Sequence, residues 1–120
     1  MKIITESEFS ARLREALAAS DAVMCGSVTG PGRSGAIASV YASHILRIPF
    51  IPFGAVVPKR LGCLLIVDTA SESGATMRKA ARRYGDSLPV CVVAFQEPPR
   101  VAFWYEATKP QRYAHERCAA

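Results

Sequence analysis

No Asp or Glu occurs between Asp21 and Asp68, an interval that carries Arg33, Arg47, Lys59 and Arg60. A stretch so free of acids can hold phosphate without competition from its own carboxylates. With the net charge of +5 it favours an anionic partner, whether nucleic acid, phosphorylated metabolite or acidic protein. Metal-type cysteine spacing is missing too. Cys25, Cys63, Cys91 and Cys118 are far apart, with no C-x-x-C pair and no adjacent histidine, which excludes the usual zinc spacings and leaves buried, reduced thiols as the expectation. Long apolar runs are absent: residues 63–67 and 88–95 fall well short of the ~20 residues a bilayer span requires. The N-terminal "MKIITESEF" has acids where a secretory signal would carry its apolar core, so a cytoplasmic location without membrane association is expected. There is no internal repeat and no low-complexity segment. What remains is 120 residues, 50% of them hydrophobic, enough for one compact domain over 1–120 and too few for two.

Along the chain, helices and strands alternate. Thr5-Glu6-Ser7-Glu8 has the form of a capping box, and Phe9, Leu13, Ala16 and Leu17 recur at helical spacing, which predicts a helix over 6–19. "AVMCGSV" (22–28) has the unbroken apolar character of a strand covered on both faces. A second helix is expected over 34–46. "IPFIPF" holds two prolines, so it is restricted to a short edge strand or an extended connector. "CLLIV" is the best central strand, followed by a helix that turns Met77, Ala80, Ala81 and Tyr84 inward and Arg78, Lys79, Arg82 and Arg83 outward. "LPVCVVAF" and "VAFWYEA" supply two more strands, and the segment 108–120 is a polar, basic tail. The alternation predicts an α/β fold: an open, mostly parallel twisted sheet flanked by helices.

In such a sheet ligands bind beyond the carboxyl ends of the strands. Two loops leave strands there and enter helices, so they are expected to face one crevice. The first, "TGPGRSG" (29–35), contains G-x-G-x-x-G. A dinucleotide site would need an acid about 20 residues on for the ribose, and none is present. Two readings stay open: an anion held by backbone N–H groups with Arg33 as an added cation, or a tight strand-to-helix turn without a ligand. The second loop, within "LLIVDTASESGAT" (64–76), offers the hydroxyls of Ser71, Ser73 and Thr76, Gly74 for close backbone approach, and the N-terminus of a helix for a phosphate. Asp68 and Glu72 stand beside it, where carboxylates suit sugar hydroxyls, Mg²⁺ or a proton. A phosphate beside sugar hydroxyls is a sugar phosphate.

The second loop and its strand resemble the phosphoribosyl pyrophosphate signature of the type I phosphoribosyltransferases. Leu64, Leu65, Ile66 and Val67 match the hydrophobic run, Asp68 the first acid, and Ser73-Gly74-Ala75-Thr76 the phosphate loop. "SVTGPGRSGAIASVYASHILRIPFIP" is similar to the family's first strand, pyrophosphate loop and following helix, so the likeness covers residues 22–95. It implies transfer of phosphoribose from phosphoribosyl pyrophosphate to a purine or pyrimidine base, with Mg²⁺ and release of pyrophosphate. On that resemblance Ser73, Gly74, Ala75 and Thr76 bind the 5′-phosphate. Asp68 holds the ribose hydroxyls and, indirectly, the metal, and Glu72 is a general base. Thr29, Arg33 and Ser34 bind pyrophosphate, as do Lys59 and Arg60, which fall where the family has its flexible loop. Of the aromatics Phe103, Trp104 and Tyr105, Trp104 is the candidate for stacking on the base, although these rings also suit an edge strand that packs the core. A homodimer is expected.

The sequence departs from the family pattern in three places. Thr69 replaces the second acid of the signature, Ala70-Ser71 replaces the hydrophobic pair, and "GAVVPKRLG" is too short a loop to close far over a substrate. Loss of the second acid weakens catalysis more than binding. A second reading is therefore a non-catalytic phosphoribosyltransferase-like module that senses a nucleotide or binds RNA, and a third is a sugar-phosphate isomerising domain. Arg78, Lys79, Arg82 and Arg83 resemble a nucleic-acid stripe, though a charged exposed helix face is the commoner state and no aromatics interleave with them in sequence. His44 is expected to be structural and His115 solvated.

Overall fold

The computed structural model describes residues 2–71, 74–96 and 101–106. Helix α1 spans Glu6–Ala18 and starts as its capping box requires. The Glu8 N–H donates to Thr5 Oγ1 at 3.1 Å, and the Thr5 N–H donates back to Glu8 Oε1 at 3.4 Å. Its apolar stripe of Phe9, Leu13 and Leu17 is buried, each side chain contributing about 1.5–3 kcal/mol relative to exposure.

Three parallel strands form the main sheet in the order β2-β3-β4, with β2 at Ser27–Thr29, β3 at Leu64–Ala70 and β4 at Val90–Phe95. In register, Val28 faces Leu65 and Leu65 faces Val90. The strand expected over 22–28 is corrected. Ser20 Oγ accepts the Ala22 N–H at 3.1 Å and caps a 3₁₀ turn at Asp21–Met24, so the extended run begins only at Ser27. "IPFIPF" forms a single-bridge edge: the Val28 N–H donates to the Pro49 carbonyl at 3.0 Å and the Ile51 N–H to the Val28 carbonyl at 2.7 Å. Pro49 and Pro52 have no N–H with which to extend the pairing. A second, two-stranded parallel sheet joins β1 (Lys2–Ile4) to β5 (Val101–Phe103). β1 has no counterpart among the sequence-based expectations, since three residues among polar neighbours carry no readable period.

Helix α2 spans Gly32–Leu46 and α3 spans Ala75–Arg83. α1 and α2 cover one face of the main sheet, where Phe9, Leu13, Ala38 and Ala42 pack with Val28, Leu65 and Val67. α3 covers the other, where Met77, Ala80 and Tyr84 pack with Leu64 and Ile66. β3 is therefore apolar on both faces, and Leu64, Leu65, Ile66 and Val67 are all fully buried. The chain passes from β2 through α2 to the Phe50 edge and then returns to β3 on the far side of β2. The strand order thus reverses between β2 and β3, a topological switch point at which open α/β sheets bind ligands. No helix among the described residues is long and apolar enough to cross a membrane.

Candidate functional site

The carboxyl end of β3 and the start of α3 enclose a cleft of about 250 Å³, lined by Asp68, Ala70, Ser71, Gly74, Ala75, Thr76, Met77 and Val93. β3 outlasts its apolar run because the Ser71 N–H donates to the Phe95 carbonyl at 3.1 Å, which fixes the strand end against β4. Asp68 faces Val93 across the ladder and shares its side of the sheet with Ile66 and Ala70, the side that carries α3. Gly74 caps α3 with φ +79, a left-handed conformation that favours glycine, and it has no side chain to cap the first turn. The start of α3 lines the cleft at Gly74, Ala75 and Thr76, and the N-terminal end of a helix has the polarity that suits an anion. The Arg78 guanidinium leans back over Gly74, with Nη1 2.9 Å from where a Cβ would stand, so a cation sits close to the capping residue.

Burial raises the pKa of Asp68 above its ordinary value, partly offset by hydrogen bonds from Thr69. The Thr69 N–H donates to Asp68 Oδ1 at 2.7 Å. A carboxyl held this way, half-buried beside a phosphate-type helix N-terminus, can accept sugar hydroxyls in its charged form and can carry a proton in its neutral one.

The first loop behaves differently. Gly30 is buried, and a Cβ there would lie 2.1 Å from the Gly35 carbonyl oxygen and 2.6 Å from that of Val67. The glycines of "GPGRSG" thus let α2 pack against the end of β3. Ser34, in the first turn of α2, accepts a hydrogen bond from the Tyr105 hydroxyl at 2.8 Å. The same hydroxyl engages the Thr69 side chain, and burial raises the Tyr105 pKa. One phenol therefore ties the first loop to the strand that carries Asp68.

The structure brings Asp68, Gly74, Ala75 and Thr76 together around one cleft, and places Arg33, exposed, and Ser34 on α2 at the same end of the sheet. It does not bring the other candidates there. Thr29 has no exposed surface and its Oγ1 has no partner; its side chain points along the face of Leu64 and Ile66, so a pyrophosphate contact through that hydroxyl is corrected. Lys59 and Arg60 lie in a 3₁₀ turn that precedes β3, at the amino ends of the strands. Even Leu64, where β3 begins, is four strand steps from Asp68, about 13 Å, and the turn lies beyond it. Their assignment to pyrophosphate is corrected for this conformation. Trp104 packs against Phe9, with centroids 5.6 Å apart, and against Tyr41 at 6.2 Å. It belongs to the aromatic side of the core, and Tyr105 is the neighbour whose hydroxyl reaches Ser34 of the first loop. Glu72 and Ser73 lie outside the described residues, as does the tail 108–120. Sequence reasoning placed Arg78 on an exposed basic stripe and did not connect it with the cleft, for which its i+4 spacing from Gly74 was the available signal, and it did not single out Tyr105, which had none.

No protein-family model matches the sequence, and no curated protein matches it at a significant level. Solved structures do match. The Helicobacter pylori xanthine-guanine-hypoxanthine phosphoribosyltransferase superposes with a TM-score of 0.71 at 13% identity, over 95% of this chain and 97% of that one. A hypothetical protein from Neisseria gonorrhoeae with bound ppGpp gives a TM-score of 0.65 at 14% identity, over 98% and 97%. The purine phosphoribosyltransferase from Pyrococcus horikoshii gives 0.63 at 17%, over 87% and 94%. The chain has a phosphoribosyltransferase-like fold, with small parallel sheets flanked by helices.

Proposed function

We propose that the cleft between β3 and α3 holds a 5-phosphorylated ribose, and that the chain is a phosphoribosyltransferase using phosphoribosyl pyrophosphate and a nitrogenous base, purines first among them. The observation that carries this reading is that Asp68 and the N-terminus of α3 line one cleft. The helix N–H groups and the Thr76 hydroxyl bind the phosphate, Arg78 neutralises it, and the Asp68 carboxylate accepts the ribose hydroxyls. As pyrophosphate leaves, the sugar gains oxocarbenium character that a nearby carboxylate stabilises, while Arg33 at the start of α2 faces the opposite charge. Glu72 is the proposed base.

The donor set suits Mg²⁺ only as an ion brought by the substrate. Among the described residues no group of three or more His, Cys, Asp or Glu is poised to hold a metal. Mg²⁺ is commonly held by one or two carboxylates together with substrate phosphates, so Asp68 would share it with pyrophosphate and the ion would neutralise the leaving group.

A second reading, a non-catalytic nucleotide-sensing module, is favoured by Thr69. The residue at the second acid position is 3% exposed and engaged by Tyr105, so it offers nothing to the cleft. The similarity to a protein crystallised with ppGpp supports a guanine nucleotide as that ligand. Pyrophosphate release from phosphoribosyl pyrophosphate, Mg²⁺ and each common base distinguishes the two. Turnover with any base supports the transferase; tight nucleotide binding without turnover supports the sensor; neither result is compatible with a protein that binds nothing phosphorylated.

A further inference from the structure

At the opposite end of the sheet, the amino ends of the strands carry a second cleft, of about 420 Å³, lined by residues that include Lys59, Arg83, Tyr84 and Asp86. Tyr84 closes it from within. Its hydroxyl accepts the Gly54 N–H at 2.7 Å and donates to the Ala55 carbonyl at 3.1 Å, pinning the segment after the proline-rich edge to the end of α3. That pinning seats Phe53 edge-on against the Tyr84 ring, with centroids 5.6 Å apart, yet leaves Phe53 38% exposed. The Arg83 guanidinium lies 5.7 Å from the Phe53 ring centre, within reach of a cation–π contact. An exposed aromatic and a planar cation are held together by a rigid support.

The charge around this platform has one dominant sign. Lys59 and Arg60 project from the 3₁₀ turn, and Lys79 and Arg82 from α3, all exposed; Asp86 is the single acid on the described lining. Thr76, Lys79 and Arg83 follow one another at i, i+3 and i+7, a single ridge of α3 about 10 Å long. Sequence alone shows a basic helix with no aromatic partner; the fold supplies Phe53 from a segment some thirty residues earlier and two more cations from another. Cations spaced along a ridge suit a chain of phosphates, and an exposed ring beside them suits an unpaired base, which an acidic peptide does not provide.

We propose that this edge, formed by Phe53, Lys59, Arg60, Lys79 and Arg83, binds single-stranded nucleic acid independently of the cleft that contains Asp68. The test is fluorescence anisotropy of the full chain with a labelled oligouridylate of about twelve nucleotides, across a salt series. Binding is expected to weaken with a log–log salt slope of about −3, as four phosphate contacts to a single strand require. Lys59→Glu should weaken binding at least about tenfold and flatten the slope, since it removes a phosphate contact. Phe53→Ala should weaken it about tenfold with the slope unchanged, since it removes stacking alone. Lys59 is exposed and serves as the decisive variant should Phe53→Ala impair folding, which a thermal melt reports. No binding at low salt, or equal affinity in wild type and Lys59→Glu, overturns the proposal. So does binding of duplex or of polyglutamate as tightly as the single strand, or of uridine monophosphate as tightly as the oligomer.

Discussion

The two glycine-containing loops of this chain read alike in sequence and do opposite things in the fold. The loop after β2 is filled by its own backbone: Gly30 meets the carbonyls of Gly35 and Val67, and its serine is taken by Tyr105. After β3, Gly74 turns the chain in a left-handed conformation, and a cleft lies between Asp68 and the start of α3. Glycine in the first loop permits close packing, and in the second it permits the left-handed turn that starts a helix beside a cleft. A glycine pattern before a helix is therefore ambiguous until the space beside it is known.

Substitution should separate the loops in order of effect. Gly30→Ala forces a methyl into two carbonyl oxygens and should cost about 3 kcal/mol or more of stability, read from denaturant unfolding. A loss below about 1 kcal/mol would show that the first loop has room for a ligand after all. Asp68→Asn should weaken ribose 5-phosphate binding about ten- to a hundredfold, the worth of a hydrogen bond to a charged group. The same variant should stabilise the fold at neutral pH. Burial raises the Asp68 pKa above 3.8, so the folded protein binds more protons than the unfolded chain above that pH. Stability then falls as pH rises from 3.8 through the folded value. Thermal melts from about pH 4 to about pH 8 should show this decline in wild type and less of it in Asp68→Asn.

Gly74→Ala should cost about 1–2 kcal/mol, because φ +79 is strained for any L side chain while the Arg78 tip can shift aside. Its loss of phosphate affinity should exceed that of Gly30→Ala measured on the folded fraction. Tyr105→Phe should have the smallest effect, about 0.5–1 kcal/mol from the lost bond to Ser34. Its melt should shift slightly and its ribose phosphate affinity should hold, since Tyr105 tethers the packed loop and does not line the cleft beside α3.

The elements with strong local chemistry were legible. The Thr5–Glu8 capping box located α1 to within a residue at its end, and the unbroken run of Leu64, Leu65, Ile66 and Val67 located the central strand. That Asp68, Gly74, Ala75 and Thr76 line one cleft was legible because they are close in sequence, from the end of β3 to the first turn of α3. Features set by tertiary contact were not. β1 exists only because β5 pairs with it, and Trp104 and Tyr105 are adjacent in sequence but reach the Phe9 core and the Ser34 hydroxyl respectively. Lys59 and Arg60 were misplaced for the same reason: a basic pair in a loop says nothing about which end of the sheet the loop lies on.

The most direct test is a calorimetric titration of wild type and Asp68→Asn with ribose 5-phosphate, repeated with phosphoribosyl pyrophosphate and Mg²⁺. A phosphoribose site between β3 and α3 predicts saturable binding of both ligands by wild type, with affinity that rises as Asp68 loses its proton and drops at least about tenfold in the variant. Absence of binding, or equal affinity in the two proteins, would contradict it.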